Sequence, residues 1–246
     1  MPCAVQEMSK DNQLKFTLPM LDAPRTVRIA FRKVGNLQYI SHLDLQRTFS
    51  RVLVRAGLPL WYTKGFNPHI KMIFGLPLPV GAESECELLD IRIEREMSNE
   101  EICRRLNDEL TEELAVKEVY PPEHKFTDIA YAAYEFRFIT ADPDLAKERI
   151  ATCLAKGPLT AIRKTKSTEK EIDVREFIKR YDLRREGEAI VLDAVLDAAE
   201  GRVLSPEVLV SALRTHAGIL SGDPMAERYR VLRRRLFLSD AETEFR

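Results

Sequence analysis

The paired prolines of Tyr120-Pro121-Pro122-Glu123-His124-Lys125-Phe126 divide the 246-residue chain into two halves. Two consecutive prolines remove two backbone donors and fix φ twice, so neither a helix nor a ladder strand passes through them. Each half repeats one order of patterns. In the first, Val27, Ile29 and Phe31 alternate with Arg28, Ala30 and Arg32, the period of a strand with one buried face. Ser41 followed by Asp44 predicts a helix start, Leu45, Phe49, Val52, Leu53 and Ala56 continue at helical spacing, and Gly57 ends the run. Extended segments are predicted at 59–63, 69–76 and 85–95. Ser98 with Glu101 opens a second helix carrying Ile102, Leu106 and Leu110, and Val116, Glu118 and Tyr120 read as a closing strand.

Beyond the prolines, Tyr134, Phe136 and Phe138 predict a strand, and Asp142-Pro143 pairs an N-cap with proline at the first helical position. Ala146, Ile150 and Leu154 form that helix's buried face, and Gly157 stops it. Strand-like LTAIRKT and AIVLDAVL follow, separated by a charged stretch from Lys166 to Glu188. Ser205-Pro206 opens the last helix, Gly218 closes it, and YRVLRRRLFL is the final strand. The expectation is an α+β protein of two tandem ferredoxin-like (βαββαβ) units with antiparallel sheets. Residues 1–24 read as a flexible tail, 25–120 as the first unit, 121–128 as a linker and 129–240 as the second unit.

No apolar run approaches the roughly 18 to 20 residues that span a bilayer, and the first residues lack the layout of a signal peptide. A cytoplasmic location is expected. Cys3, Cys86, Cys103 and Cys153 are far apart, with no CxxC or Cys/His cluster to hold zinc or an iron–sulfur cluster, so neither metal nor cofactor is expected.

The charge is unevenly placed. The whole chain carries −1, yet the segment 25–82 holds nine bases (Arg25, Arg28, Arg32, Lys33, Arg47, Arg51, Arg55, Lys64, Lys71) against Asp44 alone. Arg47, Arg51 and Arg55 recur every fourth residue and stack as one ridge on a helix face. Beside them in sequence, Trp61 to His69 crowds rings, cations and amides into a loop: Tyr62, Lys64, Phe66, Asn67 and His69. Cations contacting phosphates and exposed rings stacking on unpaired bases are how many modules hold single-stranded RNA. The predicted RNA-binding set is Arg32, Lys33, Arg47, Arg51, Arg55, Tyr62, Lys64, Phe66, Asn67, His69 and Lys71. Solvated cations over packed rings, or docking on an acidic protein surface, are the competing readings. A second basic group, Arg228, Arg230, Arg233, Arg234 and Arg235, lies on the final strand, with Arg163, Lys164 and Lys166 on an earlier one. Alternation places Arg233 and Arg235 on one face and Arg234 on the other, and a terminal edge strand could carry such charge simply to block edge pairing.

His42 and His69 are the acid–base candidates, since imidazole titrates near neutral pH and both lie in the basic segment. With Tyr62 and Lys64 they would support metal-independent RNA cleavage, although no spacing requires that geometry. A P-loop and a GxGxxG motif are absent.

The block from Phe31 to Ile91, FRKVGNLQYISHLDLQRTFSRVLVRAGLPLWYTKGFNPHIKMIFGLPLPVGAESECELLDI, closely resembles the bacterial radical-SAM-associated protein family of unknown function, found alone or fused to radical SAM enzymes. EIDVREFI, from Glu171 to Ile178, extends the likeness over most of the chain. The cluster-binding CxxxCxxC of radical SAM enzymes is missing, so the resemblance implies a partner module without the radical chemistry. The element order is also similar to that of tandem ferredoxin-like CRISPR RNA-processing endoribonucleases. Together these imply a non-catalytic RNA-binding adaptor that presents tRNA or rRNA to a radical SAM enzyme, with a His42/His69 endoribonuclease or a purely protein-docking module as alternatives.

Overall fold

The computed structural model describes residues 17–164, 169–220 and 228–246, whose chain divides into two compact units. The first runs to Pro77 and resumes over Glu87–Glu123, and the second comprises Leu78–Cys86 and His124–Arg246. Among the described residues there are ten strands and four α-helices, and the strand pairings are mostly antiparallel.

The first unit contains β1 (Met20–Lys33), α1 (His42–Arg55), β2 (Ile73–Phe74), the part of β3 (Ala82–Arg95) from Glu87 onward, α2 (Asn99–Glu109) and β4 (Val116–Tyr120), with strand order β4-β1-β3-β2. Val27, Ile29 and Phe31 share one core with Leu45, Phe49 and Leu53 of α1, Ile102 and Leu106 of α2, and Leu89, Ile91 and Ile93 of β3. The Phe31 and Phe49 rings meet at 4.6 Å, and Phe74 stands edge-on to both. The two predicted helix starts are capped as their sequences require: Asp44 N–H donates to Ser41 Oγ and Glu101 N–H to Ser98 Oγ, each at 3.1 Å.

The first strand begins at Met20, inside the segment predicted as a tail. Hydrogen bonds to its backbone from residues distant in sequence hold its start, the Pro19 carbonyl accepting from Glu96 N–H at 2.9 Å and the Leu18 carbonyl from the Arg95 guanidinium at 2.8 Å. The tail's first sixteen residues lie outside the described ones. The extended segments predicted at 59–63 and 69–76 reduce to isolated bridges, Leu60 to Ile93 and Tyr62 to Ile70, and to the two residues of β2. Pro59, Gly65, Pro68 and Gly75 break any longer ladder there.

The second unit contains β5 (Tyr131–Ile139), α3 (Pro143–Ala155), β6 (Thr160–Lys164), β7 (Glu169–Asp173), β8 (Ile178–Glu186), β9 (Ala189–Asp197), α4 (Pro206–Ala217) and β10 (Arg228–Phe237). Its strand order is β10-β5-β9-β8, and β6 and β7 form a separate antiparallel pair. Asp142 caps α3 through Leu145 N–H at 3.0 Å, and Gly218 ends α4 in the left-handed region at φ 60°. The charged stretch from Lys166 to Glu188 conceals β7, a 3-10 turn over Val174–Phe177 and β8. Most of β8 is solvated, so its sequence lacks the apolar alternation that would have announced it.

Two expectations for the final strand are overturned. β10 is not an edge strand: β5 pairs antiparallel along its length, and Ala82–Ser84 pair parallel with Val231–Arg233. A register shift between Arg233 and Arg235 also breaks strict alternation, so Arg233 is buried while Arg234 and Arg235 are both exposed.

No helix among the described residues is long and apolar enough to cross a membrane. Cys86, Cys103 and Cys153 form no disulfide among the described residues, and burial pushes the thiols of Cys103 and Cys153 up.

Candidate nucleic-acid interface

The four bases of β1 are used internally. Arg28, fully buried, donates to Asp90 through Nε at 2.7 Å and Nη2 at 2.8 Å, a bidentate pair between adjacent strands. Arg25 donates to the Met97 carbonyl at 2.8 Å and Arg32 to the Glu112 carbonyl. Lys33 is 2 % exposed, with Nζ 3.4 Å from the Leu37 carbonyl. Its predicted phosphate role is therefore corrected: it falls in register with Val27, Ile29 and Phe31, on the face that turns inward. Arg32 is half-buried and tied by its Nε, so it does not belong to an open basic surface either.

The α1 ridge, in contrast, is exposed along its length. Leu45, Phe49, Val52 and Leu53 draw the other face of the helix into the core, which leaves Arg47, Arg51 and Arg55 on the solvent side. Arg47 pairs with Asp44 at 3.0 Å, one turn earlier. The Ser41 hydroxyl and then the Arg47 guanidinium hold the Asp44 carboxyl below its usual range. Arg55 reaches Glu109 of α2 at 2.6 Å while remaining 70 % exposed. Arg51, between them, has no carboxylate partner among the described residues. Exposed Leu43 and Val54 flank the arginines on the same helix. Sequence reading passed over both, although their helical spacing relative to Arg47 and Arg51 was the signal for them.

The loop from Trp61 to Lys71 is closed at its neck and open at its tip. Thr63 N–H donates to the His69 carbonyl at 3.0 Å, His69 N–H to Thr63 Oγ1 at 3.1 Å, and Tyr62 bridges Ile70. His69 Nδ1 lies 3.0 Å from Thr63 Oγ1 and 3.2 Å from the Asn67 carbonyl, which staples the neck further. Lys64, Phe66, Asn67 and Lys71 are exposed, and the Phe66 ring at the tip is completely so. Gly65 supplies φ 142°, a conformation that residues with a Cβ rarely adopt, and nothing lies near its α-carbon that a side chain would meet. Trp61 is not part of this display: its N–H donates to the Arg92 carbonyl and the Arg92 guanidinium covers its ring at 5.3 Å. Half-exposed Tyr62 lines a small cavity of about 140 Å³ together with Val54, Leu58 and Leu60, so the loop's neck adjoins the C-terminal end of the ridge.

The two candidate histidines are engaged separately. His42 Nε2 lies 3.1 Å from the Gln46 amide and its ring packs edge-on against Phe74 at 5.3 Å. His69 is occupied by Thr63 and Asn67 as described, and the two imidazoles share no hydrogen-bond partner among the described residues.

Of the second basic group, Arg230 pairs with Glu83 and Arg234 with Glu135, and Arg163 lies 5.8 Å over the Phe177 ring. The Lys164 side chain and Lys166 lie outside the described residues. No group of three or more His, Cys, Asp or Glu among the described residues is arranged to hold a metal ion.

A family model described as an uncharacterized protein conserved in bacteria (DUF2344) matches residues 26–206. No curated protein matches the chain.

Proposed function

We propose, from the premise that the chain belongs to this uncharacterized bacterial family, that it is a non-catalytic RNA-binding adaptor acting in the cytoplasm, with the α1 ridge and the Trp61–Lys71 loop as its contact surface. The observation that carries the reading is Arg51, an exposed guanidinium without a carboxylate, centred in a ridge whose other two arginines, Arg47 on exposed Asp44 and Arg55 on half-buried Glu109, are themselves exposed. Exposed ion pairs contribute about 0 to 1 kcal/mol, so Arg47 can exchange Asp44 for phosphate at small cost, while Arg55, 70 % exposed, can keep Glu109 and offer its solvated face. The Phe66 ring, presented on a stapled loop, suits stacking on an unpaired base, with Tyr62, Lys64, Asn67, His69 and Lys71 around it.

The radical SAM partnership rests on the resemblance of Phe31 to Ile91: the adaptor would present tRNA or rRNA to an enzyme that carries the cluster this chain lacks. Each unit is further proposed to be a ferredoxin-like βαββαβ fold. The orders β4-β1-β3-β2 and β10-β5-β9-β8 support this, with β6 and β7 as an insertion in the second.

The test is retention of total cellular RNA on filters across a salt series, comparing wild type with the Arg47→Ala/Arg51→Ala/Arg55→Ala variant. The expected slope of log affinity against log salt is shallower in the variant by about 2, since each phosphate contact on a single strand contributes about 0.7. Absence of binding at low salt sinks the RNA reading and leaves the ridge as a surface for an acidic protein face. Exposed Tyr39, Leu43, Val54 and Ile73 of the same unit would suit that role. Cleavage of the RNA that resists EDTA and disappears in His42→Ala and His69→Ala would replace the adaptor with an endoribonuclease.

A further inference from the structure

We propose a second, independent ligand site on the second unit: a cleft on its sheet that takes a nucleoside monophosphate moiety. The cleft has a volume of about 570 Å³, and Ala133, Glu135, Asp193, Val195, Arg180, Asp182, Arg234 and Arg235 contribute to its lining. Strand register explains its position. Ala133 pairs with Val195, Val195 with Arg180, and Arg235 with Ala133, so these four form one row across β10, β5, β9 and β8. Glu135, Asp193 and Asp182 form the next row on the same face. That face is opposite the one carrying buried Ala132, Tyr134, Phe136 and Phe138. The small side chains Ala133 and Val195 leave the floor low between longer walls.

The bulge in β10 creates the site's free cation. Without it Arg234 and Arg235 would point to opposite faces; with it both are exposed and both line the cleft. Arg234 is held at 2.6 Å by Glu135, whereas Arg235 has no partner among the described residues and is available to a phosphate. Arg180 is preorganised differently. One of its N–H groups donates to the Ala241 carbonyl at 2.8 Å, and its guanidinium lies over the Phe237 ring at 5.5 Å. With one plane on a buried ring and the residue exposed, the other plane is open to a nucleobase, as guanidinium planes commonly accept. Asp182, with its side chain 74 % exposed, can accept from an exocyclic amino group. A bare phosphate would gain Arg235 but face the exposed Asp182 carboxylate, which Arg184 meets only at 3.7 Å while it pairs closely with Asp193. A nucleotide uses the cation, the plane and the carboxylate together, which is why the mixed charge of the walls favours it over an inorganic anion.

The cleft shares no residue with the α1 ridge, so ligand titration separates the two. Adenosine monophosphate, inorganic phosphate and a short oligoadenylate are titrated into the ¹⁵N-labelled full chain and backbone amide shifts are followed. Adenosine monophosphate is expected to perturb β5, β8, β9 and β10 and to bind more tightly than phosphate. Arg235→Ala is expected to weaken it by about tenfold, the loss of one charge-assisted contact, and Arg235→Glu by more. Arg47→Ala/Arg51→Ala/Arg55→Ala is expected to leave it unchanged. Tighter binding of the oligoadenylate than of the monophosphate would identify the source as a strand, and the reverse order as a free nucleotide. No perturbation of these strands at about 10 mM adenosine monophosphate, a concentration that would reveal even millimolar affinity, overturns the proposal. So does equal affinity in wild type and both Arg235 variants.

Discussion

On α1 the arginines follow one another at every fourth residue with only Asp44 and Glu109 near them, whereas on the second unit's sheet several arginines meet acids supplied by other strands. Arg234 reaches Glu135 at 2.6 Å, Arg230 pairs with Glu83 and Arg184 with Asp193, each across adjacent strands, and Arg137 reaches Glu186 at 2.7 Å over the intervening β9. The two geometries account for the contrast. A helix face offers a cation only its own third and fourth neighbours, while a strand places residues of other strands directly opposite at about 5 Å. Arginine density in a sequence therefore does not measure available charge. What matters is which element carries it and what that element's lateral neighbours are.

The buried end of this scale gives the largest expected effect. Arg28→Ala would leave the Asp90 carboxylate, 13 % exposed, without its bidentate partner, and chemical denaturation should register a loss of about 3 to 5 kcal/mol. Arg28→Met with Asp90→Leu should recover most of it, because removing both charges also removes their desolvation cost. A single variant as stable as wild type would break the division between internal and external arginines. Arg234→Ala is the intermediate case. Its own side chain is 47 % exposed but it covers a Glu135 carboxylate that is 13 % exposed, so a loss of about 1.5 kcal/mol is expected in the same measurement.

The division between α1 and α2 sharpens the comparison inside one unit. Each helix carries an acid three residues after its capping serine, but where Asp44 meets one arginine, Glu101 meets two, accepting from Arg104 at 2.8 Å and 2.9 Å and from Arg105 at 2.6 Å. These bonds, from Arg104 first, bring the Glu101 carboxyl down to about 2. A depressed acid stabilises the fold above its ordinary value near 4.5 and loses that contribution as pH falls toward 2. With Glu101 about one-third exposed, solvent screening reduces the effect to the order of 1 kcal/mol. Denaturation midpoints measured from pH 5 to pH 2 should fall less steeply in Glu101→Gln than in wild type, and parallel curves would contradict the assignment.

Local signals were legible and partners were not. Ser41, Ser98 and Asp142 announced their helices because a cap is a contact across three residues. Val27, Ile29 and Phe31 announced β1 because burial of one face writes a period of two. Lys33 misled for the reverse reason: it continues that inward register, but a lysine reads as surface until Leu37 supplies a carbonyl near its ammonium. β8 was hidden because its solvated face carries Arg180, Asp182, Arg184 and Glu186, charges that look like a linker until β9 lies alongside. In the candidate interface the arginine spacing and the exposed loop followed from sequence. The Arg55–Glu109 pair, the covering of Trp61 by Arg92 and the Thr63–His69 clasp did not, since each depends on where a turn brings the chain back.

Arg51→Ala is expected to have the smallest effect on stability and a clear one on binding, and that combination distinguishes an interface cation from a structural one. Its side chain is solvated and has no carboxylate to release, so unfolding free energy should stay within about 0.5 kcal/mol of wild type. If the ridge holds phosphate, the same substitution should lower the salt slope of RNA retention by about 0.7, the loss of one contact. Arg47→Ala and Arg55→Ala should each do slightly less, because Asp44 and Glu109 already compete for those guanidinium groups. An Arg51→Ala variant that loses stability but keeps its slope would place this arginine with those of the sheet.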